Sequence, residues 1–241
     1  MKHKLTGMAA SMGALLIAAT ACSGGATGDG PPLDAGNEGD DGSSTANAAY
    51  VLRDWEEPCE TFDFDELAEW FDYAEYRGDG KINSPYGVGL DQPAVMCQTL
   101  INYTKWTNDR GHERTGDGML LVAVVPWEDA ETAATDFADR VQVRKDSLGN
   151  ATESELPGAW DEGVYLRDED DTGDAWELLA RDGAYILWVY VEIGPDPAHD
   201  EGDPSYSWTN DEVTDYLINS YFPQEHKLVE DALQEAGVKN E

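Results

Sequence analysis

The chain has 241 residues, with 50 Asp and Glu against 15 Lys and Arg and a formal net charge of −35 at pH 7. A surface this negative repels phosphate backbones and anionic lipid headgroups, which argues against nucleic-acid binding and against direct adsorption to a membrane. Cations, basic proteins and neutral sugars remain as counterparties, beside plain solubility in a salt-rich or divalent-rich surrounding.

At the start, Lys2 and Lys4 precede an apolar run over residues 8–19, and Ala19-Thr20-Ala21-Cys22 is followed at once by Ser23-Gly24-Gly25. The run is too short to span about 30 Å of hydrocarbon, so a cleaved signal over residues 1–21 is expected instead of a retained transmembrane helix. Small residues just before a cysteine are the pattern of a bacterial lipoprotein signal, with Cys22 as the lipidated first residue. An ordinary secretory signal ending at Ala19-Thr20-Ala21 is the rival reading. Residues 22–48 hold no aromatic and no basic residue. They read as a disordered acidic tether of about 25 to 30 Å root-mean-square reach, carrying a single domain, residues 49–241, clear of the lipid. The location this implies is the outer face of the bacterial cytoplasmic membrane, with the lipid anchor as the only membrane contact.

Within the domain, Cys59 and Cys97 form an even pair, which in an exported chain implies a disulfide. Closing that loop stabilises the fold by about 3 to 4 kcal/mol on the chain-entropy account. Neither a C-x-x-C redox spacing nor a cluster of metal ligands accompanies the pair. Asp63 and Glu66 make a capping box, Phe62 and Leu67 sit as a hydrophobic staple, and Leu67, Ala68, Phe71 and Ala74 share a face; a first helix over 64–76 is expected. Strands are expected over 94–105 and 118–126, then a helix over 128–144 on Ala130, Ala133, Ala134, Phe137 and Val141.

Three further strands follow over 163–167, 176–181 and 184–193, the last two joined by an Asp182-Gly183 hairpin turn. In the last strand Ile186, Trp188 and Tyr190 alternate with Leu187, Val189 and Val191, so it is apolar on both faces and should lie centrally. Thr209 and Glu212 form another capping box, with Trp208 and Val213 as its staple; this helix runs to 221, Pro223 interrupts it, and a charged helical extension continues to a Gly237 cap. The order α-β-β-α-β-β-β-α implies an α+β fold, a mainly antiparallel sheet of about five strands covered by helices.

Glu57-Pro58-Cys59-Glu60 ahead of a helix, Val95-Met96-Cys97-Gln98 on the following strand, and Leu156-Pro157-Gly158-Ala159-Trp160-Asp161-Glu162 before a short strand resemble the actinobacterial envelope lipoproteins of the domain of unknown function 3558 family. The likeness covers most of residues 55–222. It implies an extracytoplasmic lipoprotein with a paired-cysteine α+β domain and no established catalytic activity. Residues 224–241 depart from it, since family members commonly end soon after their last helix.

Candidate chemistry is sparse. Asp168, Glu169, Asp170, Asp171 and Asp174 suggest calcium, and Asp168-x-Asp170-x-Thr172-Gly173 begins like an EF-hand loop, but Leu179 stands where the twelfth-position Glu belongs; a solvated turn is expected. Asp79-Gly80-Lys81-Ile82 echoes the middle of such a loop, but Arg77 occupies what would be its third position. Arg110, His112 and Arg114 make the densest basic spot, a candidate anion site or a solubilising hairpin tip. His112, His199 and His226 share no metal spacing, and no nucleophile elbow or Walker loop occurs. Trp55, Trp106 and Trp160 near loops suggest sugar stacking or loop packing. No catalytic residue, metal or cofactor is assigned. The expected function is a non-enzymatic binding module whose partner is an envelope protein or small ligand; the alternative is a hydrolase of wall polymers, which needs convergent carboxylates or a Ser/His pair in a cleft.

Overall fold

Tyr185, Leu187, Val189 and Val191 alternate with Ile186, Trp188 and Tyr190, and both sets are buried, so this strand needs apolar cover on both sides. In the computed structural model, which describes residues 47–89, 91–108, 110–170, 173–195 and 206–238, it has that cover. Cys22, the expected signal, the tether up to residue 46 and His199 lie outside the described residues. One compact unit spans Ser43–Glu241.

The elements are α1 (Ala48–Arg53), α2 (Pro58–Thr61), α3 (Phe64–Trp70), β1 (Tyr73–Tyr76), β2 (Ile82–Ser84), β3 (Val95–Thr107), β4 (Glu113–Pro126), α4 (Ala130–Leu148), β5 (Thr152–Glu155), β6 (Glu162–Asp170), β7 (Gly173–Asp182), β8 (Tyr185–Ile193), α5 (Asn210–Tyr216), a π turn (Leu217–Tyr221) and α6 (Phe222–Glu235). They form an α+β fold around an 8-stranded sheet of order β1-β3-β4-β8-β7-β6-β5, with β2 also paired to β3. Each of these pairings is antiparallel. Helix α4 carries the chain from the sheet's centre to its far edge, and β6, β7 and β8 return strand by strand until β8 lies against β4.

The two faces have separate cores. On one, Cys97, Ile101, Val122, Leu178, Leu187 and Val189 pack with Leu52 of α1, Leu67 of α3, Val213 of α5 and Val229 and Leu233 of α6. On the other, Met96, Leu121, Ala123, Ile186 and Trp188 pack with Phe137 of α4. Arg144 locks α4 down: it pairs with the fully buried Glu177 at 2.5 Å, and its guanidinium lies 5.3 Å from the ring centroids of both Trp188 and Tyr190. Burial, acting first, raises the Glu177 carboxyl above its ordinary value, and Arg144 pulls the other way.

Several expectations are corrected. The first helix stops at Trp70, because Asp72 takes a left-handed φ of 53° and Tyr73–Tyr76 turns into β1 against Ile101–Tyr103. Strands β2 and β5 were also unforeseen; one has three residues, and the other is Thr-Glu-Ser-Glu with all four exposed, so neither carries an apolar alternation. The hairpin turn shifts by one: Asp182 still pairs with Tyr185, and Gly183, at φ 53°, is the first loop residue. Pro223 does not interrupt the last helix. The π turn before it bonds Phe222 N–H to Leu217 O, and that wider register accommodates a residue with no N–H of its own. Nor is the C-terminal stretch an appendage, since Val229 and Leu233 are core residues.

The Leu156–Glu162 motif is a packed corner. Trp160 donates to Leu156 O at 2.9 Å, and its ring lies so close over Gly158 and Gly163 that a Cβ on either would sit 2.1 to 2.2 Å from it. Asp161 accepts from Arg181 and from the Gly183 N–H at the adjacent hairpin.

Cys59 on α2 and Cys97 on β3 are joined, with Cα atoms 4.8 Å apart, pinning the segment ahead of α3 to the sheet. Replacing both with Ser should lower unfolding free energy by about 3 to 4 kcal/mol in urea titrations, and an unchanged midpoint would contradict the staple role.

Candidate binding groove

The sequence candidates do not converge. Asp168 and Asp170 lie on β6 and Asp174 on β7, where Asp168 pairs with Ala175 and Asp170 with Gly173, so the stretch is a hairpin and not an ion-wrapping loop. Residue 171 lies outside the described residues. Arg110, His112 and Arg114 are exposed around the β3–β4 turn, which Asn108 organises by accepting from the N–H groups of Arg110 and His112, each at 3.0 Å. Trp55 packs edge-on to Phe62 and Trp160 edge-on to Phe222, which makes both packing residues; the Trp106 side chain is outside what is described.

One described group of three has metal-ligand character: Asp182, His226 and Glu230. His226 Nε2 lies 3.0 Å from Asp182 and Nδ1 3.6 Å from Glu230. Each of the three can offer one ligand atom within 4.8 Å of the other two, an approach that acidic groups commonly make with no ion between them. The hydrogen bond between the imidazole and Asp182 ties α6 to the end of β7, with Tyr185 donating to the same Asp182 oxygen at 3.1 Å. Neither His112 nor His226 hydrogen-bonds a Ser, Thr or Cys side chain among the described residues.

What the structure does assemble is a groove of about 460 Å³ where the end of α3 meets the start of α5. Trp70, Trp208 and Tyr216, all half-buried, supply its rings, while Glu212, Asp215, Ser207 and Ser220 supply exposed polar groups. The local causes are clear. Thr209 caps α5, accepting from Glu212 N–H at 3.3 Å while Glu212 accepts from Thr209 N–H at 2.8 Å, and this box puts Trp208 at the residue before the cap and Tyr216 two turns on.

Trp70 then stacks on Tyr216 with centroids 4.6 Å apart and planes 8° from parallel, and Trp208 stacks on Tyr206 at 4.4 Å and 14°. The two Trp rings are 6.4 Å apart. Behind them, the hydroxyls of Tyr103 of β3 and Tyr206 lie 2.6 Å apart and 2.9 and 3.0 Å from Gly194 O, just past β8; with one proton each, one donates to that carbonyl and the other to its neighbour's oxygen. The array is therefore bolted to the sheet.

Electrostatically the groove is one-signed, with no basic residue among those lining it. One oxygen of Glu212 is used by the cap and one of Asp215 accepts from Asn219 at 2.8 Å; the remaining oxygen of each has no hydrogen-bond partner among the described residues. Burial first, and Glu66 second, hold the Tyr216 phenol above its ordinary value, so it stays neutral. In the sequence Trp70 reads only as part of the helix expected over 64–76 and Trp208 only as a staple. Their distance in sequence hides the pairing.

The frame behind the groove depends on Glu225. Its Oε1 accepts the Asp63 N–H at 3.1 Å, displacing the reciprocal half of the expected Asp63/Glu66 box, while Glu66 is engaged by Gln224 at 2.8 Å. No family model, curated protein or solved structure matches this chain. Its class therefore rests on its own geometry: a disulfide-stapled α+β domain with an aromatic, acidic groove.

Burial, the largest influence, pushes the Glu225 carboxyl up to about 8 from an ordinary 4.5. Between those values the folded state holds a proton that the unfolded state has released, so stability should fall as pH rises, by up to about 1.4 kcal/mol per pH unit. Glu225→Gln keeps an oxygen for Asp63 N–H and should flatten this slope in urea titrations from pH 5 to 8. An identical slope in the variant would contradict the assignment.

Proposed function

We propose that this chain is a lipid-anchored binding module of the bacterial envelope, held by Cys22 through an acidic tether and engaging its partner through the Trp70/Trp208/Tyr216 groove. The observation that carries this reading is the groove itself, where three half-buried rings on a rigid backing stand beside two carboxylates that each keep an oxygen free. Half-exposed aromatics give large contact area at little conformational cost, which is the signature of recognition surfaces. Resemblance to envelope lipoproteins of the domain of unknown function 3558 family supports the compartment, and the short motifs behind that likeness map here to a disulfide and a packed Trp160 corner, both structural. Among the described residues no helix is long and apolar enough to cross a membrane.

Two outcomes follow. Cys22→Ala should move the protein out of the membrane fraction or leave an uncleaved precursor by intact mass; a wild-type product with an unmodified Cys22 would defeat the anchor. A photo-crosslinking residue at the exposed Ser207 or Ser220 should capture a discrete envelope component in cells, and one at Thr135 on α4, across the sheet, should not. Equal capture from both faces would defeat the groove.

A further inference from the structure

Resting on the groove reading above, we infer that its occupant is an arginine side chain presented by a basic polypeptide segment. Three observations converge. The groove is lined by the half-buried rings of Trp70, Trp208 and Tyr216 and by two carboxylates that each keep one oxygen without a hydrogen-bond partner among the described residues, and it has no basic lining residue. Guanidinium groups are the ligands that satisfy both features, since they are planar, stack on aromatic faces, and donate paired N–H groups to carboxylates.

The second observation is long-range: a net charge of −35 draws cationic segments toward the surface and repels anionic ones. The third lies in the chain's own use of cations. Arg144 sits over Trp188 and Tyr190 while paired with Glu177, and Arg167 lies over Trp176 while paired with Glu169 and Asp211. The same combination of rings and carboxylates recurs at Trp70, Trp208, Glu212 and Asp215 with no arginine of this chain supplied to it. A neutral sugar would use the rings but gain nothing from the field.

The test is NMR titration of the full chain, following the indole N–H resonances of Trp70 and Trp208, assigned by Trp70→Phe and Trp208→Phe. The probes are an acetylated, amidated Arg-Gly-Arg tripeptide, its uncharged analogue with citrulline in place of each arginine, and a neutral N-acetylglucosamine disaccharide. The arginine peptide should shift both resonances, weaken as monovalent salt rises, and bind about tenfold less well to the Glu212→Gln, Asp215→Asn double variant. Glutamine still serves the Thr209 capping box, so this variant should fold; its unperturbed indole spectrum checks that.

Equal binding of the citrulline peptide, or binding of the disaccharide alone with no effect of the double variant, would overturn the arginine assignment and leave the groove as a binding site. No shift with any probe would overturn the assignment too, and the crosslinking comparison between Ser207 and Thr135 then decides the groove separately.

Discussion

A single buried carboxyl joins the two ends of the domain: Glu225 on α6 accepts the Asp63 N–H that opens α3, across 162 positions of sequence. Helices this distant must share one layer, because the larger sheet face has no other cover for Ile101, Val122, Leu187 and Val189. The π turn ahead of Pro223 lets the chain run on from α5 into α6 without a break, keeping Tyr216 and Glu225 on one continuous helical rod. Trp70 is thereby brought onto Tyr216. The groove is a consequence of how the sheet is covered, and its aromatic walls are part of the same packed layer.

Charge is distributed with comparable economy. Among the few basic residues, Arg53, Arg77, Lys81, Arg140, Arg144, Lys145, Arg167, Arg181 and Lys227 are each within ion-pair distance of a carboxylate. Those that are half-buried act as clamps. Arg140 joins Asp91 to Asp136 beneath α4, and Arg181 joins Asp161 and Glu162 to the β7–β8 hairpin. Exposed pairs add little stability, but together these pairs engage nine of the chain's 15 Lys and Arg against 50 Asp and Glu, which leaves an acidic exterior whose field any approaching partner meets first.

The parts of this fold that were legible in the sequence are those set by local chemistry or by strong alternation. The Thr209/Glu212 box, the doubly apolar β8, the β7–β8 hairpin and the Cys59–Cys97 pair all declared themselves. Residues 73–76 read as helix because Ala74 continues the spacing of Leu67 and Phe71, and only the left-handed turn at Asp72 and a β3 partner reverse that. Strands β2 and β5 exist because an edge offered hydrogen bonds, which no side-chain pattern records. The groove escaped for a related reason: Trp70 and Trp208 meet through tertiary packing, and a lone tryptophan on a helix looks the same whether it fills a core or walls a cleft. Glu225 likewise read as one more acid on a charged helix until its burial was visible.

The most direct test of the account is amide hydrogen exchange on the full chain, free and together with the component captured by a crosslinker at Ser207. Protection concentrated in residues 66–72 and 206–220, with α4 unchanged across the sheet, is the expected result. Protection confined to α4 or to the β3–β4 turn around Arg110, with the groove segments exchanging as in the free chain, would contradict it.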